Sequence, residues 1–169
     1  FIQNEELFCE TIRFAFDFVE KNDVLMTLGL LPTRPDSNYG YIQACGGKDA
    51  HKNDGPMEVK TFTEKPDKEL AKVFLSTGEF LWNAGIFLWR AKTVRKEMEK
   101  HMPQVTGMFR GWEHALGTAV EREFLTKAFS DCMNISLAYG IMEKTDMAWI
   151  YPVEFDWQDV GTWESLYNY

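Results

Sequence analysis

Asp159 stands near the end of "EFDWQDVG", where an apolar, aromatic run gives way to a carboxylate and then Gly161. A carboxylate between the end of a strand and the start of a helix is where α/β enzymes often hold a metal ion or meet a phosphate. Asp159 could bind a hard divalent cation; magnesium takes one or two carboxylates and fills its shell with water and substrate phosphates, so a lone Asp needs a second contributor, and none stands nearby. Asp156 flanks Trp157 on the other side. In "TFTEKP", Glu64 and Lys65 are delivered to a strand edge fixed by Pro66. A lysine there is a compact point charge for a phosphate, and a glutamate can accept protons from sugar hydroxyls. In "FLWNAGIFLW", Asn83 interrupts an apolar run. A buried amide left unpaired costs roughly 1 to 3 kcal/mol, so its partner is backbone at a bulge or a ligand hydroxyl. In "PTRPDSNYGYI", Gly40 lets a backbone N–H approach a ligand with no Cβ in the way. Taken singly, each also reads as ordinary structure: a capped turn, a solvated ion pair, a bulge, a proline-stiffened loop.

The elements that must position these residues follow from periodicity. Leu7, Phe8, Ile12, Ala15, Phe16 and Val19 predict a helix from about Glu5 to Glu20, capped by Asn4. "DVLMTLGL" predicts a buried strand and "LPTRPDSN" a loop; "YGYIQACGG" and "MEVKTFTEKP" predict two antiparallel strands joined through the polar "KDAHKNDG". "DKELAKVFLSTGE" predicts a helix capped at Asp67 and stopped at Gly78, and "FLWNAGIFLWR" a central strand interrupted at Asn83, Ala84 and Gly85. From Ala91 to Phe129 the pattern is mostly helical, with breaks at Pro103 and Gly111. "MAWIYPV" is a last strand, and "TWESLYNY" opens a helix capped by Thr162. Alternating helices and strands predict an α/β class with a mixed, mostly parallel sheet flanked by helices.

The bulk numbers bound the rest. A chain of 169 residues with 45% hydrophobic and 15% aromatic content suits one packed domain. A net charge of −8 argues against nucleic acid as a partner, and no apolar run approaches membrane-spanning length. Cys9, Cys45 and Cys132 are scattered and lack metal-type spacing, which predicts free thiols in a reducing compartment such as the cytoplasm. His51, His101 and His114 also lack ligand spacing. No Ser or Cys sits in a nucleophile elbow, and "CGGK" lacks the full P-loop pattern, so a turn is expected there.

In combination the motifs say more. "TLGLLPTRPDSNYGYI", "TFTEKPD", "FLWNAGIFLW", "ISLAYGIMEKT" and "FDWQDVGTW" occur in the order found in the sugar-phosphate nucleotidyltransferases, and most closely resemble the mannose-1-phosphate guanylyltransferase branch. The resemblance runs from Thr27 to Trp163. It implies a Rossmann-like nucleotide-diphospho-sugar transferase fold, incomplete in this chain. Residues 1–169 would be the sugar-phosphate-binding and C-terminal part of the catalytic domain. The Gly-rich nucleotide loop and the family's Asp-His pair would belong upstream. The implied reaction joins mannose 1-phosphate to GTP with magnesium, giving GDP-mannose and pyrophosphate. Asp159 would be the metal ligand; Lys65 would hold the sugar phosphate, Glu64 and Asn83 the sugar hydroxyls, and Gly40 would offer its backbone amide to the sugar.

Two departures accompany the resemblance. Ala138 stands where the family usually has the Asp of Ser-Ile-Asp-Tyr, and Asn38 where Gly usually precedes "YGYI". Two alternatives stand beside the main reading: a sister transferase of other base or sugar specificity, and a non-catalytic regulator that binds nucleotide sugar. The chain alone is expected to be inactive, and strands without neighbours would favour association into a homo-oligomer.

Overall fold

All six residues of β1 (Leu25–Leu30) are buried, and the reason is that both faces of the strand are covered. Met26, Leu28 and Leu30 join a core that includes Ala15 and Val19 of α1 (Glu5–Lys21), together with Tyr39, Tyr41 and Trp82. The alternate residues face the other way, and an added Cβ on Gly29 would press on Ile150 and Leu81. The computed structural model describes residues 2–52, 54–155, 157–161 and 163–167. Asp156 and the expected cap Thr162 lie outside them.

Local signals place the helices where the sequence predicts. Asn4 caps α1, its Oδ1 accepting from the Leu7 amide at 3.0 Å. Asp67 does the same for α2 (Lys68–Thr77), accepting from the Leu70 amide at 2.8 Å, and Gly78 ends that helix with φ of 68°. α1 lays Phe8 edge-on against Phe155 and Phe18 against Trp149, which ties the helix to the sheet.

The remaining strands are β2 (Tyr41–Ala44), β3 (Met57–Thr63), β4 (Phe80–Trp89) and β5 (Ala148–Pro152). They close on themselves in the order β1-β4-β2-β3-β5. The class is α/β and the sheet is mixed, as expected, but the expectation of a mostly parallel sheet is corrected. Of the five pairings among the described residues, only β1 with β5 is parallel; β1–β4, β2–β3, β2–β4 and β3–β5 are antiparallel. The cause is the β2–β3 pair, whose strands are joined by a short 3₁₀-helical connection at Gly47–Lys52 and then continue onto β4 and β5. That 3₁₀ segment stands where a plain turn is predicted.

The chain forms two compact units, residues 1–90 with 146–169, and residues 91–145. The second is helical: α3 (Ala91–His101), α4 (Pro103–Met108), α5 (Trp112–Ala115) and α6 (Glu121–Asp131), then a π-helical turn at Ala138–Met142. Pro103 starts α4 and Gly111, at φ of 86°, precedes α5, so both predicted breaks are present. Within this unit Glu97 is 2% exposed. Its carboxylate accepts from the Thr145 hydroxyl at 2.6 Å and lies 3.2 Å from His101 Nε2, which is how a buried acid is held in a helix interior. The last helix of the first unit is α7 (Trp163–Tyr167). No helix among the described residues is long and apolar enough to cross a membrane.

Candidate functional site

Asn83 meets its partners at a bulge. The pairing of β1 with β4 shifts between Thr27 and Gly29, where Thr27 faces Phe87 but Gly29 faces Asn83, so β4 carries extra residues across from Leu28. Gly85 takes φ of 72° there. Asn83 Oδ1 accepts from the Gly85 amide at 3.1 Å and from the Thr27 hydroxyl at 2.7 Å. The amide oxygen is thereby committed to the fold, and the Nδ2 end faces Gly40.

Gly40, Glu64 and Asn83, predicted from three separate motifs, come together. Gly40 O accepts from the Asn83 amide at 2.8 Å, which fixes the loop end to β4. A Cβ on residue 40 would lie 2.6 Å from Glu64 Oε2, 3.2 Å from Asn83 Cβ and 3.6 Å from Asn83 Nδ2. Only glycine lets the buried Glu64 carboxylate oxygen lie against this backbone. One carboxylate acceptor and one amide donor facing a bare backbone are the groups that hydrogen-bond vicinal hydroxyls.

Lys65 follows Glu64 but points to solvent, and it is the one non-glycine residue with positive φ, 47°, among those described. Holding a lysine there costs about 1–2 kcal/mol, a strain that collects at functional turns. The buried Pro66 behind it limits the backbone's options.

Asp159 is exposed, and its Oδ1 accepts from the Gly161 amide at 3.1 Å, an Asx turn that aims the carboxylate. It is outside the Gly40–Glu64–Asn83 group but within electrostatic reach of Tyr39, the residue before Gly40. Burial holds the Tyr39 phenol above its ordinary range; the charge of Asp36 adds to this, Arg34 opposes it, and Asp159 adds again. Among the described residues no group of three or more His, Cys, Asp or Glu could hold a metal. A single accessible carboxylate supplies one of the one or two that magnesium takes, so a second contributor is needed beside Asp159.

The structure adds a feature that sequence reasoning missed. On the opposite face of β4 from Asn83 lies a cavity of about 680 Å³, at the carboxyl ends of the parallel strands β1 and β5. Tyr39, Trp82 and Trp157 wall it, with Arg34 and the carboxamides of Asn4 and Gln158 around them. Trp82 stands inside the apolar run "FLWNAGIFLW" and Arg34 inside the loop "LPTRPDSN", and neither was singled out in the sequence. The available signal was alternation: if Asn83 faces one side of β4, its neighbour Trp82 must face the other.

The Nucleotidyl transferase family matches residues 6–169. The chain belongs to the nucleotidyl transferase family. Over 170 residues it is 34% identical to mannose-1-phosphate guanylyltransferase of Klebsiella pneumoniae, covering 99% of this chain and 35% of that protein. It is 36% identical over 173 residues to the protein of the same name from Salmonella montevideo, covering 99% and 36%. The chain therefore spans about a third of the length of the curated relatives it matches. A crystal structure described as mannose-1-phosphate geranyltransferase from Thermus thermophilus superposes with a TM-score of 0.79 at 26% identity, covering 98% of this chain and 45% of that one.

The two departures from the family's motifs lie at Ala138 and Asn38. Ala138 is 6% exposed and opens the π-helical turn, so a carboxylate at this position would be a buried one. Asn38 is accommodated without positive φ, since Lys65 alone among described non-glycine residues takes it. Its amide and its Nδ2 both donate to Asp36 Oδ1 at 3.0 Å, which closes the loop that a glycine would otherwise have to turn.

Proposed function

We propose that this chain is the sugar-phosphate side of a nucleotidyltransferase that joins mannose 1-phosphate to GTP, giving GDP-mannose and pyrophosphate. The convergence of Gly40, Glu64 and Asn83 on one spot carries the reading, with the names of the relatives supporting it. Glu64 accepts from a sugar hydroxyl, the Asn83 amide donates to one, and the bare backbone at Gly40 lets the ring approach. Lys65 places its charge on the sugar phosphate, held out from the sheet by its left-handed backbone. Asp159 would hold magnesium, which supplies charge neutralisation on the phosphates when bound. The protein groups position a sugar-phosphate oxygen in line with the α-phosphorus of GTP, and no covalent enzyme intermediate is needed.

Calorimetric titration with mannose 1-phosphate tests the reading. In Gly40→Ala the new Cβ meets Glu64 Oε2, the far end of a flexible side chain that can move away, and comes to 3.2 Å from Asn83 Cβ, which must give by a few tenths of an ångström. Affinity should fall about tenfold or more, while the denaturation midpoint changes little. In the complete protein, Lys65→Met should weaken mannose 1-phosphate by about tenfold and leave GTP affinity unchanged, because a point charge on the sugar phosphate has been removed. Unchanged affinity in both variants would remove the site from this face of β4. Equal losses for both ligands in Lys65→Met would make that residue structural.

A further inference from the structure

We infer that the cavity on the other face of β4 is a phosphate subsite, with Arg34 as its anion-binding residue. This deepens the transferase reading and rests on it for naming the phosphorylated compounds that arrive there.

Arg34 is built into place. Its Nε and Nη2 donate to Asp36 Oδ2 at 3.1 and 2.7 Å, and the Asp36 side chain is only 14% exposed. Asp36 is itself pinned, its Oδ1 accepting twice from Asn38 and its amide donating to the Tyr41 hydroxyl at 3.0 Å. The guanidinium lies 5.2 Å over the Trp82 ring and 5.9 Å over the Tyr39 ring. An arginine stacked on two aromatics and oriented by a fixed carboxylate has lost most of its rotamer freedom already. A guanidinium carries five N–H groups and the bonds to Asp36 use two, so donors remain for a ligand.

A second observation comes from the same wall. Trp82 is 6% exposed, and its indole Nε1 is buried with no hydrogen-bond partner among the described residues. A buried donor left unmatched calls for an explanation; since Nε1 is closed to water in this structure, a ligand acceptor satisfies it only where the cavity wall opens around the Trp82 ring. Arg and Trp only donate, so together they select a ligand rich in acceptors. A phosphate ester presents acceptors alone and carries the opposite charge. The position agrees: Asn4, the cap of the 17-residue α1, lines the cavity beside the carboxyl ends of β1 and β5, so the positive end of the helix dipole favours an anion there.

The test uses the ¹⁵N-labelled chain, with the Trp82 indole signal assigned by its loss in Trp82→Phe. Pyrophosphate, mannose 1-phosphate, GTP and, as a control, mannose are titrated in at constant ionic strength without magnesium. The Trp82 signal should shift saturably with pyrophosphate and with at least one of the two phosphorylated substrates, and not with mannose. Arg34→Met should weaken each response by about tenfold, and Arg34→Lys should fall between, keeping the charge without the stacked fork. No shift with any phosphate compound, or the same curve in Arg34→Met, overturns the subsite. Two outcomes separate this inference from the transferase reading. An Arg34-dependent response to pyrophosphate alone keeps the subsite and counts against the transferase. If no phosphate compound gives an Arg34-dependent response while mannose 1-phosphate binding depends on Gly40, the transferase stands and the subsite falls.

Discussion

In the complete protein, Asp159→Asn is expected to leave the fold intact and to cut magnesium-dependent turnover of the proposed transferase by about a hundredfold or more. The two halves of this expectation have separate causes. The structural half follows from the Asx turn: the bond from the Gly161 amide goes to Oδ1, and asparagine presents an oxygen of the same size at the same place. Asp159 is exposed, so losing its charge leaves no buried partner stranded. The chemical half follows from the cation. A neutral amide oxygen is a much poorer ligand for a hard divalent ion than a carboxylate, and it also removes a negative charge facing the metal. Turnover measured against magnesium concentration, beside a thermal melt, checks both. A variant that melts like the parent and turns over at the parent rate under limiting magnesium would reduce Asp159 to a turn residue.

Asn83→Leu should be the most destabilising change at the site, by about 2–4 kcal/mol, because it strands the Gly85 N–H at the bulge and puts a branched alkyl group against the Glu64 carboxylate. The Thr27 hydroxyl has an alternative acceptor in the Ile86 carbonyl at 3.0 Å, so the loss concentrates on the bulge. Asn83→Asp is the informative companion. It keeps an oxygen for Gly85 and Thr27 but puts a carboxylate at a position only 8% exposed, so it should still destabilise, though less than Asn83→Leu at the bulge. Urea midpoints for the two variants beside the parent decide the matter. Equal and small losses for both would mean that the bulge does not depend on Asn83.

The sequence by itself determined the elements with local causes. The Asn4 and Asp67 caps, the Gly78 stop and the Pro103 and Gly111 breaks are decided by groups within a few residues of each other, so they were legible. The order of the motifs was enough to point to the family that residues 6–169 match. Read singly, Gly40, Glu64 and Asn83 were separate signals with ordinary structural explanations, and it was the resemblance that assigned all three to the sugar.

Only tertiary structure could bring them to one place, because their approach depends on the register of β2 against β4 and of β4 against β1. Register is set by side-chain packing across strands far apart in sequence. The same long-range pairing made the sheet predominantly antiparallel and set residues 91–145 apart as a unit. It also turned Trp82, Asn83's neighbour, toward a cavity on the other face. A residue's type can suggest that it could bind something. Which face of the strand it serves is fixed by what the fold lays against it.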